Sequence, residues 1–195
     1  MKNPSTPLLL AAAIAAAVIA AAPALDAKVK VRTQFDQKFD FKTVHTWAWA
    51  SEHPGAVMLA RSANEDKEAF LQRVDPVVRE AVGVEMLRRK MQPAQGAPDV
   101  TLTFYVLMMA GPWTQSVGQF VPSVPEWGLP IFQVSTSAIE VIEQGALVID
   151  MSAGGQPVWR GVAEAGINPD ADQKKRTVIV KDAVRKLLEK FPPRK

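Results

Sequence analysis

The 195-residue chain contains no cysteine, only two histidines and only one tyrosine. The absence of cysteine excludes disulfides, thiolate metal sites and a lipid-modified cysteine behind a leader. Neither His45 nor His53 lies at a metal-ligand spacing such as His-x-x-x-His, so we interpret both as surface or packed imidazoles. Gly154-Gly155 lacks the lysine and the following helix that a phosphate-binding loop needs. These gaps favour a non-enzymatic protein without a metal or a cofactor.

Long hydrophobic runs are also missing from the sequence, except near the N-terminus. Leu8–Ala22 is an unbroken apolar run of 15 residues, which is too short to span a bilayer as a helix. Small residues follow it, which is typical of a cleavable signal peptide cut after Ala24 or Ala27. We favour Ala27, with an uncleaved membrane anchor as the competing interpretation. Residues 1–27 are then the leader and 28–195 a single domain, expected in the periplasm without a lipid anchor.

Short segments in which apolar and polar residues alternate predict β-strands in the mature chain. These segments are 28–35, 43–49, 99–108, 134–142, 146–152 and 157–164. Gly154-Gly155 matches a two-residue hairpin turn between the last two of them. Trp47 and Trp49 share one strand face and are predicted to pack in the core. Residues 51–64 contain Pro54 and Gly55 and are predicted to form a loop.

Two segments carry apolar residues at helical spacing. The first is predicted to begin at Asp75 as N-cap, with Pro76 at the first helical position, and to end near Met91. Residues 66–73 are expected to add a turn or two before it, at a kink. The second runs over 172–191 and ends at the two prolines that follow. So few crossover helices predict an α+β two-layer sandwich, in which a mostly antiparallel β-sheet carries two main helices on one face.

Trp159-Arg160 is the most distinctive pair of side chains, because arginine can grip a carboxylate or a phosphate at two points. Alternation along a strand places the two on opposite faces, which predicts a core position for Trp159. Arg160 is then predicted to be an exposed partner for Asp150 or Glu164, and it is a candidate binding residue. Asp150 and Glu164 also supply the acid and base of an alternative interpretation, an uncharacterised envelope hydrolase.

A set of short motifs, in this order, resembles the DUF4136 family of uncharacterised bacterial envelope proteins, many of which are lipoproteins. The motifs are Phe35-Asp36, Phe41, Thr46-Trp47-Ala48-Trp49, Val78-x-x-Ala81-Val82 with Met86, Pro98-Asp99-Val100, Gly145-x-Leu147-Val148-Ile149-Asp150, Val158-Trp159-Arg160-Gly161 and Phe191-Pro192-Pro193. The chain departs from the lipoprotein members in lacking the lipid-bearing cysteine, and it has Met91-Gln92 where the family has a glycine. The resemblance implies a fold and a compartment, and it implies no catalytic residue.

The segment 109–135 contains four prolines and a single charged residue, Glu126. Its aromatic side chains are candidate binding residues: Trp113, Phe120, Trp127 and Phe132. A connection of this length is uncommon in a compact domain unless it has a function. Its apolar side chains either fold back on the sheet or stay exposed and dock a partner protein of the envelope.

The C-terminal segment is strongly basic, with nine Lys or Arg against three acidic residues over 172–195. The candidates for a basic surface are Lys174, Lys175, Arg176, Lys181 and Arg185. Such a surface attracts an anionic membrane or the phosphates of lipopolysaccharide, and a solvated outer helix face is the alternative. Nucleic acid is not an expected partner for an exported protein.

Overall fold

A computed structural model describes residues 29–60, 66–109, 144–166 and 172–193 of the chain. It contains seven strands, two helices and one short 3-10 turn among those residues. The elements in chain order are β1 Lys30–Phe35, the 3-10 turn Phe41–Thr43, β2 Thr46–Trp49, β3 Gly55–Ala60, α1 Lys67–Arg88, β4 Gln92–Pro93, β5 Val100–Met109, β6 Gln144–Ala153, β7 Gln156–Gly166 and α2 Gln173–Leu188.

The strands form one mixed sheet in the order β1-β7-β6-β5-β2-β4, with β3 also paired to β5. Pairing is antiparallel from β1 through β7 and β6 to β5. It is parallel where β2 and β3 meet successive stretches of β5 and where β4 meets β2. Gly154 and Gly155, with φ of 56° and 80°, close the β6–β7 hairpin, a backbone conformation that glycine adopts without strain. The predicted α+β fold with a mostly antiparallel sheet is confirmed.

The prediction of a loop over residues 51–64 is wrong, because Gly55–Ala60 forms β3. Gly55 pairs with Phe104 of β5, and the ring of Phe104 occupies the space that a Cβ at position 55 would need. The glycine therefore serves close packing within the sheet. The second predicted strand begins at Thr46 and not at Thr43, because Thr43 belongs to the 3-10 turn and Val44 caps that turn. The predicted strand 134–142 lies outside the described residues.

The prediction that the first helix begins at Asp75 is also wrong. The helix begins at Lys67 behind Asp66, whose Oδ1 accepts a hydrogen bond from the Glu68 amide at 2.9 Å, and Pro76 lies inside it. An interior proline costs about 3 kcal/mol. Phe70 and Val74 in the turns before it are buried, and each such side chain contributes roughly 1.5–3 kcal/mol. Their burial offsets the cost of the proline, so the helix runs through it.

Both helices pack on the same face of the sheet, as predicted. On that face Phe104, Ile149 and Trp159 are completely buried, and Trp47 also joins this core. The helices contribute the completely buried side chains Val78, Val82, Met86, Val184, Leu187 and Leu188. The alternating strand positions and the apolar helix stripes therefore meet in one interior.

Aromatic rings and one arginine close the end of the domain at which α2 stops. Phe191 packs edge to face on Phe41 at 5.8 Å and on Trp159 at 5.4 Å between ring centres. Arg89 donates from Nε to the carbonyl oxygen of Leu188 at 2.7 Å and from a terminal nitrogen to the buried Glu85 carboxylate at 2.7 Å. It thereby satisfies a C-terminal carbonyl of α2 and joins the ends of the two helices. We call this region the aromatic end.

Candidate functional site

Asp99 joins the start of β2 to the start of β5. Its Oδ2 accepts hydrogen bonds from the amides of His45 and Thr46 at 2.9 and 2.7 Å and from Thr46 Oγ1 at 2.8 Å. The Asp99 amide donates back to Thr46 Oγ1 at 3.1 Å. This clamp holds the parallel register in which Trp47 pairs with Val100. Two of the sequence motifs, around Thr46 and around Asp99, therefore have a structural explanation.

The clamp predicts a pH-dependent stability. Backbone hydrogen bonds from His45 and Thr46, and then the Thr46 hydroxyl, hold the pKa of Asp99 below its ordinary value of 3.8. A carboxyl group with a lowered pKa in the folded state contributes stability above its ordinary pKa, and this is lost as pH falls through the folded-state value. We therefore expect Asp99→Asn to lower the urea midpoint at neutral pH and to approach the parent in strong acid.

Thr46→Val, which removes no charge, is the control and should cost stability at both pH values. An equal deficit of Asp99→Asn at both pH values would contradict the role of the ionised carboxylate.

Arg160 lies in a buried ion pair on the sheet face opposite the two helices. Its Nε and a terminal nitrogen each donate to one oxygen of Asp150, both at 2.6 Å. Arg160 is 4% exposed and Asp150 8%. The predicted pairing with Asp150 is confirmed, whereas the predicted exposure of Arg160 is wrong. Both charges tolerate burial because each meets the other in a bidentate geometry.

Trp159 points to the other face, as predicted, and its indole ring lies over Gly161. A Cβ at position 161 would collide with the Trp159 ring and lie 2.7 Å from the nearest Leu187 methyl group. The motif Trp159-Arg160-Gly161 thus combines a core ring, a buried ion pair and the close approach that the ring needs. Like the Asp99 clamp, it builds the fold.

The described residues offer little for acid–base or metal chemistry. Asp150 pairs in register with Arg160, and Glu164 pairs with Ala146, which lies four positions before Asp150 in β6. That separation is about 13 Å at roughly 3.3 Å per residue, which is too far for a shared proton. Both histidines are exposed, and the described part of the chain holds no group of three histidine, aspartate or glutamate residues that could bind a metal.

The candidate binding residues Trp113, Phe120, Trp127 and Phe132 lie outside the described residues. The two strands that flank them are described, and they pair directly with each other up to Met109 and Gln144. The 34 residues between these positions therefore connect two paired positions of the sheet. Two residues suffice to join antiparallel neighbours, so closing this hairpin does not require a connection of such length.

Two of the five basic candidates lie in ion pairs toward the middle and C-terminal end of α2. Lys181 contacts Glu80 of α1 at 2.8 Å, and Arg185 bridges Asp182 and Glu189. Burial raises the pKa of Asp182, but hydrogen bonds from Lys186 and Arg185 outweigh this and hold it below its usual range. The bond to Asp182 in turn raises the pKa of Arg185. Positive charge in this part of α2 is therefore largely matched by carboxylates.

The other three candidates, Lys174, Lys175 and Arg176, lie in the first turn of α2. That turn carries no acidic residue; only the N-cap Asp172 precedes it, and its Oδ1 accepts from the Lys175 amide at 2.8 Å. Lys174 and Lys175 are exposed, and they make no ion pair with any described residue. Cations at a helix N-terminus oppose the helix dipole. Lys174 and Lys175 at the start of α2 therefore carry positive charge that no described carboxylate pairs with.

An apolar cavity of about 90 Å³ lies beside this turn, between the N-terminal halves of the two helices and the sheet. Its walls include Phe70, Val74, Val106, Leu147, Ala163 and Val180, and Arg73 and Arg176 also line it. At roughly 24 cal/mol per Å³, a cavity of this volume costs about 2 kcal/mol relative to a filled core. We call the end of the domain that holds it the cavity end. β5 stops and β6 begins at this end.

The cavity and Arg73 were not predicted from the sequence, although the sequence contains a signal for the cavity. At the positions of β7 that face the helices, the large Trp159 is followed by the small residues Gly161, Ala163 and Ala165. At those of β6, the large Met151 lies at one end and Gly145 at the other. Because the large side chains at the aromatic end set the spacing of the layers, the small ones leave space at the other end.

Residues 31–193 match the model of DUF4136, a domain of unknown function. The chain belongs to the DUF4136 family. Among curated proteins, none matches it. The earlier resemblance is therefore confirmed over nearly the whole predicted mature chain, and the buried motif residues of this DUF4136 protein account for its fold.

One solved structure shows the same fold at low sequence identity, and two others match with lower scores. A PDZ domain protein from Parabacteroides distasonis shares 11% identity with a TM-score of 0.53, over 86% of this chain and 37% of that one. The present chain thus spans about a third of the length of that neighbour. A DUF4136 family protein from Bacteroides thetaiotaomicron shares 18% identity with a TM-score of 0.45, over 84% and 96% of the two chains. A PelC dodecamer from Paraburkholderia phytofirmans shares 8% with a TM-score of 0.37, over 85% and 99%.

Neither described helix of the DUF4136 protein combines the length and the apolar character needed to cross a membrane. Both instead carry an apolar stripe toward the sheet and charged residues elsewhere.

Proposed function

We propose that this DUF4136 protein is a non-enzymatic accessory protein of the periplasm that docks another envelope protein through residues 109–135. The observation that carries the proposal is the direct pairing of Met109 with Gln144. Since two residues could join β5 to β6 at that pair, closing the hairpin does not account for the length of the connection. Connections longer than about 12–15 residues are usually functional or act as linkers.

The composition of the connection supports protein docking. Trp113 and Trp127 are of the residue type that most often dominates the binding energy of protein interfaces. Prolines reduce the conformational entropy that a segment loses on binding, and four of them lie in the same 27 residues. With Glu126 as the only charge, the segment suits an apolar partner surface better than a charged one.

The arrangement of ionisable groups favours a binding protein over the alternative of a hydrolase. Asp150 is one of the two carboxylates considered for acid–base catalysis, and both of its oxygens accept hydrogen bonds from Arg160. Glu164 lies 3.7 Å from a terminal nitrogen of Arg32 on the neighbouring strand. Each carboxylate thus has a structural partner, and neither has the other within hydrogen-bond reach.

A shortened variant tests the proposal. Replacing residues 110–143 by Asn-Gly should join β5 to β6 by a two-residue turn, leaving the far-ultraviolet circular dichroism spectrum and cooperative unfolding of the domain intact. The partner is first identified from the adduct that a photo-cross-linking residue at position 127 of the parent chain forms in intact cells. The purified partner should then bind the parent chain but not the shortened variant.

Two comparisons sharpen that test. A photo-cross-linking residue at the exposed Lys38, at the aromatic end, is the matched control and should not capture the same protein. The double variant Trp113→Ala, Trp127→Ala should keep the fold and lose binding to the purified partner. If it unfolds instead, the aromatic side chains pack on the domain and the docking proposal is wrong. The same adduct from positions 38 and 127 would also contradict it.

A further inference from the structure

The walls of the apolar cavity include small residues that belong to three different elements. Gly145 of β6, Ala163 and Ala165 of β7 and Ala183 of α2 all line it. A larger side chain at one of these positions would reduce a space that costs the fold stability while it is empty. The space is therefore a joint property of the sheet and α2, and it does not come from one truncated side chain.

The other walls determine the polarity of what can occupy the cavity. Phe70, Val74, Leu147 and Val180 present apolar side chains to it. Cavities lined by such side chains stay dry and take up hydrocarbon in preference to water. The part of a ligand that enters this space is therefore apolar.

The two charged residues at the cavity, Arg73 and Arg176, do not call for an anionic ligand. The guanidinium carbon of Arg73 lies 5.9 Å from the centre of the Phe70 ring, and both arginines already have interaction partners. A carboxylate would have to displace those contacts, whereas an uncharged ligand leaves them in place. Arg73 and Gln173 line the cavity and are exposed, so the space reaches the surface beside them and a chain can enter there.

We propose that the cavity binds the end of an uncharged alkyl chain. The terminal carbons lie between the helices and the sheet, and the rest of the ligand leaves past Arg73 and Gln173. A volume of about 90 Å³ holds about three groups of the size of a water molecule, which takes roughly 30 Å³ in the liquid, so one chain end fits and two do not. The walls named above belong to the described sheet and helices. The proposal therefore goes beyond the docking function, and either can fail alone.

A titration of the mature protein with 1-octanol, followed by the chemical shifts of its methyl groups, tests the proposal. The shifts should centre on Val74, Leu147 and Val180, and affinity among shorter alcohols should rise about fourfold for each methylene group buried. The probe 1,8-octanediol is polar at both ends and should bind at least about tenfold more weakly. Octanoate should bind no more tightly than 1-octanol.

Three results of that titration would each overturn the proposal. Absence of 1-octanol binding would show that the cavity takes up no chain. Equal binding of the diol would show that the chain end is not buried in an apolar space. Tighter binding of octanoate would show that a charged head group is recognised.

Variants assign the binding to the cavity. Ala163→Leu should abolish 1-octanol binding by filling the space, whereas Lys38→Leu adds the same side chain at the aromatic end and should leave binding unchanged. Thr177→Leu fills the cavity from the half-exposed side of α2 and serves if the first variant does not fold. Undiminished binding in a folded, filled variant would overturn the assignment, and so would equal losses in Ala163→Leu and Lys38→Leu.

Discussion

Arg160→Met is expected to destabilise the domain by about 3–5 kcal/mol, because it leaves the Asp150 carboxylate buried without its cation. The two side chains meet through two hydrogen bonds of 2.6 Å, and together they lie almost wholly out of contact with solvent. Urea unfolding measured by tryptophan fluorescence gives the difference directly. A loss below about 1 kcal/mol, the range of exposed ion pairs, would contradict the burial of this pair.

A double variant that removes both charges separates the structural role of Arg160 from a binding role. The double variant Asp150→Val, Arg160→Met removes both charges. Valine favours a strand and methionine is a flexible apolar side chain, so both suit this face of the sheet. Such replacements of a buried ion pair are often neutral or stabilising, so this variant should recover most of the stability lost in the single one. Because it is folded, it also shows whether Arg160 has the binding role that its guanidinium suggested. A double variant no more stable than Arg160→Met would contradict the account.

Gly161→Ala is expected to cost about 1–3 kcal/mol through overpacking. The added methyl group meets the Trp159 ring and lies 2.7 and 2.9 Å from two carbons of Leu187, and none of these can withdraw from the packed layer between β7 and α2. Thermal unfolding of the variant measures the loss.

Gly83→Ala is the control for that substitution. A Cβ at Gly83 meets nothing within 4 Å, and it lies inside α1, so alanine should stabilise by about 0.5–1 kcal/mol. Combining Gly161→Ala with Trp159→Phe should recover part of the loss, because the smaller ring frees the space and the buried Trp159 indole nitrogen has no acceptor to lose. Equal effects at Gly83 and Gly161 would show that close approach to Trp159 does not matter.

Strand and helix periodicity predicted most of the architecture, because the features involved are local. The Gly154-Gly155 hairpin, the core position of Trp159 and the stripe of α2 each follow from a few neighbouring residues, and each is confirmed. The prediction failed for β3 because its pairing with β5 is parallel and non-local. By its local sequence Gly55 is typical of a loop, and only its pairing with Phe104 of β5 explains a glycine in this strand.

Pro76 shows a second limit of the local argument. A proline is a strong signal for a helix start, and only the burial of Phe70 and Val74 in the preceding turns reveals that the helix is continuous there. The face of Arg160 followed from alternation, but alternation does not specify how deeply a face is covered. Predicting the cavity requires a comparison of side-chain sizes at the two ends of β6 and β7. That comparison depends on the register of the two strands, which the sequence alone does not give.

The pairing of Met109 with Gln144 has a consequence for how such a domain can diversify. Since β5 and β6 are already in register at that pair, a change in the length of the residues between them need not shift the pairing of the described parts of these two strands. One scaffold of paired strands can therefore carry connections of different length between the same two residues.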